Sequence, residues 1–201
     1  MRVPFRLAPF GQVVVFSLFA VLAAGCAMDD PGNRFAGMSY EHLPDINLDV
    51  GDIQVEQAYK ATTEAPNVGH RFPVPPKDAA VRWGQDRLVA KGDRLTFRYI
   101  VRQASAIETE LPKSQGVTGL LTTDQSERYE VNIVIDMQIL DGRQVQGTAS
   151  AEARRSVTVP EDITLNEREK VWYKLTEDTM NDLNDQLEET IKTAFFPYIV
   201  L

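Results

Sequence analysis

A chain of 201 residues with a net charge of −8, 43 % hydrophobic and 25 % charged residues has the make-up of a folded protein. That acidity disfavours general binding to nucleic acid or to an anionic membrane surface. A single cysteine excludes a disulfide framework and any cysteine-based zinc cluster, and two histidines, His42 and His70, leave little material for histidine-dependent catalysis.

The N-terminus carries Arg2 and Arg6, then an apolar run from Val13 to Ala24, then Gly25-Cys26. Twelve residues are too few to span a hydrocarbon core of about 30 Å as a helix, but they suit the apolar region of a secretory signal. Removing residues 1–25 leaves 176 residues, enough for one domain, and the loss of two arginines takes the charge to −10. The segment Ala23-Ala24-Gly25-Cys26 resembles the lipobox of bacterial lipoproteins, although Leu22 stands one place before the position where leucine is commonest. In that family the cysteine receives a diacylglycerol group, the peptide is cut before it, and the new N-terminus is usually acylated. The resemblance therefore implies lipidation of Cys26 and attachment to the membrane through several acyl chains, at roughly 0.8 kcal/mol per buried CH₂. Ala27 follows the cysteine where inner-membrane lipoproteins of enterobacteria carry aspartate, which implies the periplasmic face of the outer membrane.

Residues 26–45 read as a tether, with the turn-rich run Asp29-Asp30-Pro31-Gly32-Asn33. Ile46, Leu48 and Val50 then alternate with polar residues as in a half-buried strand, and the phase slips beyond Gly51, which suggests a bulge. Four prolines make residues 60–76 a stiff connection on the surface. Pro76 suits the first position of a helix running to Lys91, with Gly92 just past its end and an apolar face on Val81, Gly84 and Leu88. Gly84 costs about 1 kcal/mol against alanine inside a helix, and close approach to a sheet would account for it. Leu95 to Arg102 alternate as a strand with Arg98 and Arg102 on one face. A loop over 108–127 follows, with Gly119-Leu120-Leu121 at its centre, either tucked onto the core or exposed for contact.

The clearest strand has Tyr129, Val131, Ile133, Ile135, Met137 and Ile139 on one face, and Asp141-Gly142 is a hairpin turn signal. The return strand places Val145, Gly147, Ala149, Ala151 and Ala153 together, so a helix is expected against these small residues. Thr164 and Glu167 form a capping box that opens a helix reaching Phe195, with the stripe Leu165, Trp172, Met180, Leu183, Leu187, Ile191 and Ala194. The fold class is thus α+β: a single domain over 46–201 in the order β-α-β-β-β-α, with an antiparallel-rich sheet and both helices packed on one face.

Few constellations suggest chemistry. The acids Glu177, Asp178, Asp182, Asp185, Glu188 and Glu189 stack along the last helix, but calcium wants six to eight oxygens from a shaped loop, and a solvated face accounts for them better. No nucleophile elbow, phosphate loop or dinucleotide fingerprint occurs, so neither an enzyme nor a cofactor is expected. Arg98 and Arg102 on one strand, and Arg154-Arg155 near the end of the hairpin, suit phosphate, so they are candidate ligands for a lipid headgroup; balancing an acidic surface is the other account of them.

The stretches Ala79-Ala80-Val81-Arg82-Trp83-Gly84-Gln85-Asp86-Arg87-Leu88, Glu127-Arg128-Tyr129-Glu130-Val131 and Arg155-Ser156-Val157, leading on to Thr179-Met180-Asn181-Asp182-Leu183, are arranged much as in one known lipoprotein family. In that order of elements the region 46–195 resembles the periplasmic lipoproteins that assist lipopolysaccharide assembly at the outer membrane (the LptE family). The chain departs from them in its longer proline-rich connection and less basic surface. The resemblance implies an accessory subunit seated in a β-barrel partner and touching lipopolysaccharide. Auxiliary lipoproteins of ABC-type lipid transporters share the outline, which implies a permease or substrate-binding subunit, or phospholipid, instead. A reading from another class is a small-ligand binder or enzyme that uses the 108–127 loop as a lid.

Overall fold

The computed structural model describes residues 34–112, 125–160 and 162–200, all within the unit Gly32–Leu201. The signal segment 1–25, Cys26, the start of the tether and the loop residues 113–124 with Gly119-Leu120-Leu121 lie outside the described residues. In chain order the elements are β1 (Ile46–Leu48), β2 (Asp52–Gln57), α1 (Pro76–Arg87), β3 (Leu88–Ala90), β4 (Thr96–Glu110), β5 (Gln125–Asp141), β6 (Gln144–Pro160) and α2 (Leu165–Ala194).

The expected order of strand, helix, three strands and helix emerges once two interruptions are seen. The first strand splits into β1 and β2 around Gly51, and the second into β3 and β4 around residues 91–95. β1 pairs in parallel with β3 and β2 in parallel with β4, so both strands break at the same level. Gly51 is the crossing point rather than a bulge. Its N–H donates to the Leu95 carbonyl at 3.1 Å, and a Cβ there would lie 2.8 Å from the carbonyl carbon of Asp93.

Helix α1 begins at Pro76 as the sequence implies but stops at Arg87, four residues short of Lys91. Leu88, Val89 and Ala90 are drawn instead into pairing with Ile46, Asn47 and Leu48, where ladder bonds and burial of Leu88 outweigh their small helical preference. Gly92 is therefore no helix terminus; it abuts Asp49, whose carbonyl carbon would be 2.8 Å from a Cβ. The buried side of α1 is Ala79, Ala80, Trp83, Gly84 and Arg87, with Val81 only half-buried. Gly84 does allow close approach to the sheet: a Cβ there would sit 2.9 Å from the ring of Tyr99 on β4.

The main sheet has the order β2-β4-β5-β6, with β4, β5 and β6 antiparallel. β4 and β5 run further than their alternation suggests, so the loop between them begins at Leu111 rather than 108. The proline-rich connection is not merely superficial. It buries Val68, Phe72 and Val74, and the Val68 N–H donates to Ala106 at 2.9 Å, so this segment covers the edge of β4 beyond β2.

At the hairpin only Gly142 adopts positive φ (59°), and Asp141 pairs with Gln144. A register shift follows between Ile139 and Leu140, so Leu140 pairs with Val145 while Ile139 pairs with Gly147. That bulge takes Val145 off the small-residue face and leaves it 49 % exposed. Beyond it Ala149, Ala151 and Ala153 face Met137, Ile135 and Ile133. Helix α2 packs over this side, as expected, and the Phe195 ring lies 3.5 Å from where a Gly147 Cβ would be.

The capping box of α2 forms, with the Thr164 hydroxyl accepting from the Glu167 N–H at 3.3 Å and the Thr164 N–H donating to the Glu167 carboxylate at 3.1 Å. Trp172, Met180, Leu183, Leu187 and Ile191 are buried, joined by Leu175, Thr176 and Thr179. The ends of the stripe differ: Leu165 is 64 % exposed, and Phe195 takes the burial expected of Ala194 by packing edge-on against Phe97. Periodicity gives the side of a helix that is apolar, not where the layer beneath it ends. Both helices occupy one face of the sheet, and Arg87, 2 % exposed, locks them together. Its guanidinium donates to the Pro44 carbonyl (2.9 Å), to Asn184 (2.8 Å) and to Glu188 (2.8 Å), while Trp83 donates to the same Asn184 oxygen at 2.9 Å.

Candidate functional site

Strand alternation sends Phe97, Tyr99 and Val101 into the core, which turns Arg98 towards the helix-free face of the sheet. There Arg98 grips Glu56 of β2 with two hydrogen bonds of 2.6 Å and reaches Gln138 at 3.0 Å. Those bonds hold the Glu56 carboxyl below its ordinary range and raise Arg98 above its own. A register shift after Val101 leaves Arg102 on the same face, paired with Asp136 at 2.8 Å. The Ser150 hydroxyl donates to that aspartate at 2.9 Å.

Arg154 pairs with Asn132 in the ladder, shares this face, and forms a short ion pair with Glu130. Arg128 lies on the other side of Glu130 and donates to Ser156 at 2.8 Å. These side chains, with Ile107, Thr109 and Leu111, line a groove of about 650 Å³ at the end of the sheet away from the hairpin turn. Arg155 also borders this groove, but its guanidinium turns the opposite way, towards α2, where it meets Asp182 at 2.8 Å and holds that carboxyl below its ordinary range.

The four candidate arginines therefore do not form one cluster. Arg98, Arg102 and Arg154 share a face, each engaged by its own acid, and Arg155 lies across the sheet. An arriving phosphate would have to displace an internal carboxylate, and exposed pairs of this kind are worth about 0.2–1 kcal/mol each, so displacement is cheap. Arg128 belongs to the groove and was not singled out from the sequence. Its outward parity with Glu130 was visible, but its meeting with Arg154 depends on the hairpin register, which the bulge shifts by one.

The remaining candidates are dispersed. His42 and His70 are exposed, the latter in a short 3-10 turn over Gly69–Arg71. The acids of α2 are largely partnered: Glu177 and Asp178 with Lys174, Asp182 with Arg155, and Glu188 with Arg87 and Lys192. Among the described residues no group of three or more His, Cys, Asp or Glu is placed to hold a metal, and no helix is long and apolar enough to cross a membrane.

No protein-family model matches the sequence, and no curated protein matches it. Some solved structures are weakly similar. Rare lipoprotein B from Shewanella oneidensis is 16 % identical, covering 69 % of this chain and 92 % of its own, with a TM-score of 0.34. A minor lipoprotein from Acinetobacter baumannii is 14 % identical over 75 % of this chain and 96 % of its own, with a TM-score of 0.38. Protein XCC0632 from Xanthomonas campestris is 11 % identical over 76 % and 92 %, with a TM-score of 0.29. Similarity at this level carries no functional weight, so the reading below rests on the chain's own residues.

Proposed function

We propose that the chain is a non-enzymatic, lipid-anchored envelope protein at the periplasmic face of the outer membrane, where it serves as an accessory subunit in lipopolysaccharide assembly or transport. The observation that carries this reading is the position of the only cysteine, directly after a positively charged start, a twelve-residue apolar run and Ala24-Gly25. Acyl chains on Cys26 would hold an acidic domain at a membrane that its charge does not attract. The open sheet face, with its paired and exchangeable arginines, is the surface offered to a partner or to a phosphorylated headgroup.

Radiolabelled palmitate is expected to label the wild type and not Cys26→Ser; labelling of the variant would overturn the anchor. Affinity purification from detergent-solubilised envelopes then tests the role. Recovery of a β-barrel supports lipopolysaccharide assembly, whereas recovery of an ABC permease or substrate-binding subunit replaces that assignment with the transporter one.

A further inference from the structure

The outer edge of β4 is covered by two segments, and a gap lies between them. β2 ends at Gln57 opposite Val101, and just past it the Tyr59 N–H donates to the Val101 carbonyl at 2.9 Å. Cover resumes at Val68, whose N–H donates to the Ala106 carbonyl, while the Glu108 N–H donates to Pro66, both at 2.9 Å. On this regular stretch of β4 the even-numbered residues therefore turn their backbone groups away from β5. Ala104 obeys the same alternation, but no strand lies beside it. Among the described residues its outward N–H and C=O have no backbone partner. Nor does the Ala106 N–H, since the Val68 carbonyl is taken by Arg71 at 2.8 Å.

These groups do not face open water. Ala104 is 4 % exposed and Ala106 2 %. Both line a cavity of about 280 Å³ walled by Tyr59, Gly69, Pro75 and Pro76. A buried backbone group without a partner costs about 1–3 kcal/mol, so the cavity favours an occupant with donors and acceptors at strand spacing.

Its surroundings narrow that occupant. Tyr59 closes one end of the lane and Gly69 the other, where a Cβ would lie 3.6 Å from that of Ala106, so a strand running past is excluded and a chain end fits. Lys77 and the exposed His70 bring positive charge to the lining, and among the described residues no Asp or Glu lines it. The acid beside Lys77 is its exposed neighbour Asp78 at 3.4 Å, a contact weak enough to exchange. A carboxylate end suits this lining better than an amine. We propose that the gap captures the C-terminal end of a partner polypeptide, its last residues bonding the free backbone groups of Ala104 and Ala106 and its carboxylate meeting Lys77. The small, proline-walled cavity selects small apolar side chains at that end. The site is independent of the lipid anchor and of the arginine face.

Fluorescence anisotropy of the full chain in non-ionic detergent tests it, with the N-terminally labelled peptide Gly-Ser-Ala-Ala as probe, its C-terminus either free or amidated. Saturable binding with a midpoint below about 100 μM is expected for the free carboxylate, and binding about tenfold weaker for the amide. Lys77→Met is expected to weaken the carboxylate peptide about fivefold and to abolish its advantage over the amide. Gly69→Val places a side chain over the Ala106 N–H, where a Cβ makes only ordinary contacts. It should weaken the carboxylate peptide about tenfold while leaving the melting temperature within a few degrees. No saturation by 1 mM peptide would overturn the proposal, as would equal binding of the two peptides, or an affinity unchanged in both variants.

Discussion

On the helix side of β5, Ile133, Ile135, Met137 and Ile139 have no solvent exposure, while one residue along, on the other side, Asp136 and Gln138 engage Arg102 and Arg98. The same strand thus serves two regimes. Beneath the helices the side chains are packed away from water, and even a cation such as Arg87 has each nitrogen occupied. On the open face the charges are satisfied but replaceable, each pair weak and reachable from water. Stability resides on one side of the sheet, and freedom to exchange partners on the other.

That contrast breaks most visibly at Arg87. Replacing it with alanine strips donors from Pro44, Asn184 and Glu188 together, and a loss of about 3 kcal/mol is expected in urea unfolding. A loss under about 1 kcal/mol would make the buried arginine no different from the exposed ones. Gly84→Ala probes the apolar part of the same side. Alanine favours the helix by about 1 kcal/mol, but its methyl would meet the buried Tyr99 ring, itself stacked on Trp83, so a net loss of about 1–2 kcal/mol is expected. A gain in stability would show that the ring yields.

The open face is expected to respond least. Arg98→Ala should cost less than about 1 kcal/mol at neutral pH. Because Arg98 depresses the Glu56 pKa, the pair's support is complete above the ordinary carboxylate value of 4.5 and is lost as pH falls through the lower folded value. Glu56→Gln should therefore flatten part of the decline in stability between pH 5 and 3, measured by unfolding across that range. An unchanged decline would mean the pair adds nothing.

Elements governed by local chemistry were legible in the sequence: the alternation of β5, the Gly142 turn, the Thr164–Glu167 capping box and the start of α1 at Pro76. Features decided across the fold were not. The early end of α1 reflects a parallel partner some forty residues away in Ile46–Leu48. Nothing local marks Arg87, because its acceptors Asn184 and Glu188 lie 97 and 101 residues downstream. For the candidate site, the outward parity of Arg98 could be read from alternation. The separation of Arg154 from Arg155 across the sheet also follows from parity, but the partner of each depends on the bulge beside Val145.

The two edges of the main sheet have different futures when molecules crowd together. β4 is sheltered by β2 and then by Asn67-Val68, but among the described residues no strand flanks the outer side of β6. From Gln144 to Ala151 that strand carries no charge and mostly small side chains; Glu152, Arg154 and Arg155 then interrupt it. Unpaired backbone amides in an uncharged run are a template for adding another strand, and charged residues blunt it. On β6 the stretch most open to strand addition is thereby the eight residues nearest the hairpin, and a lysine placed there would blunt it.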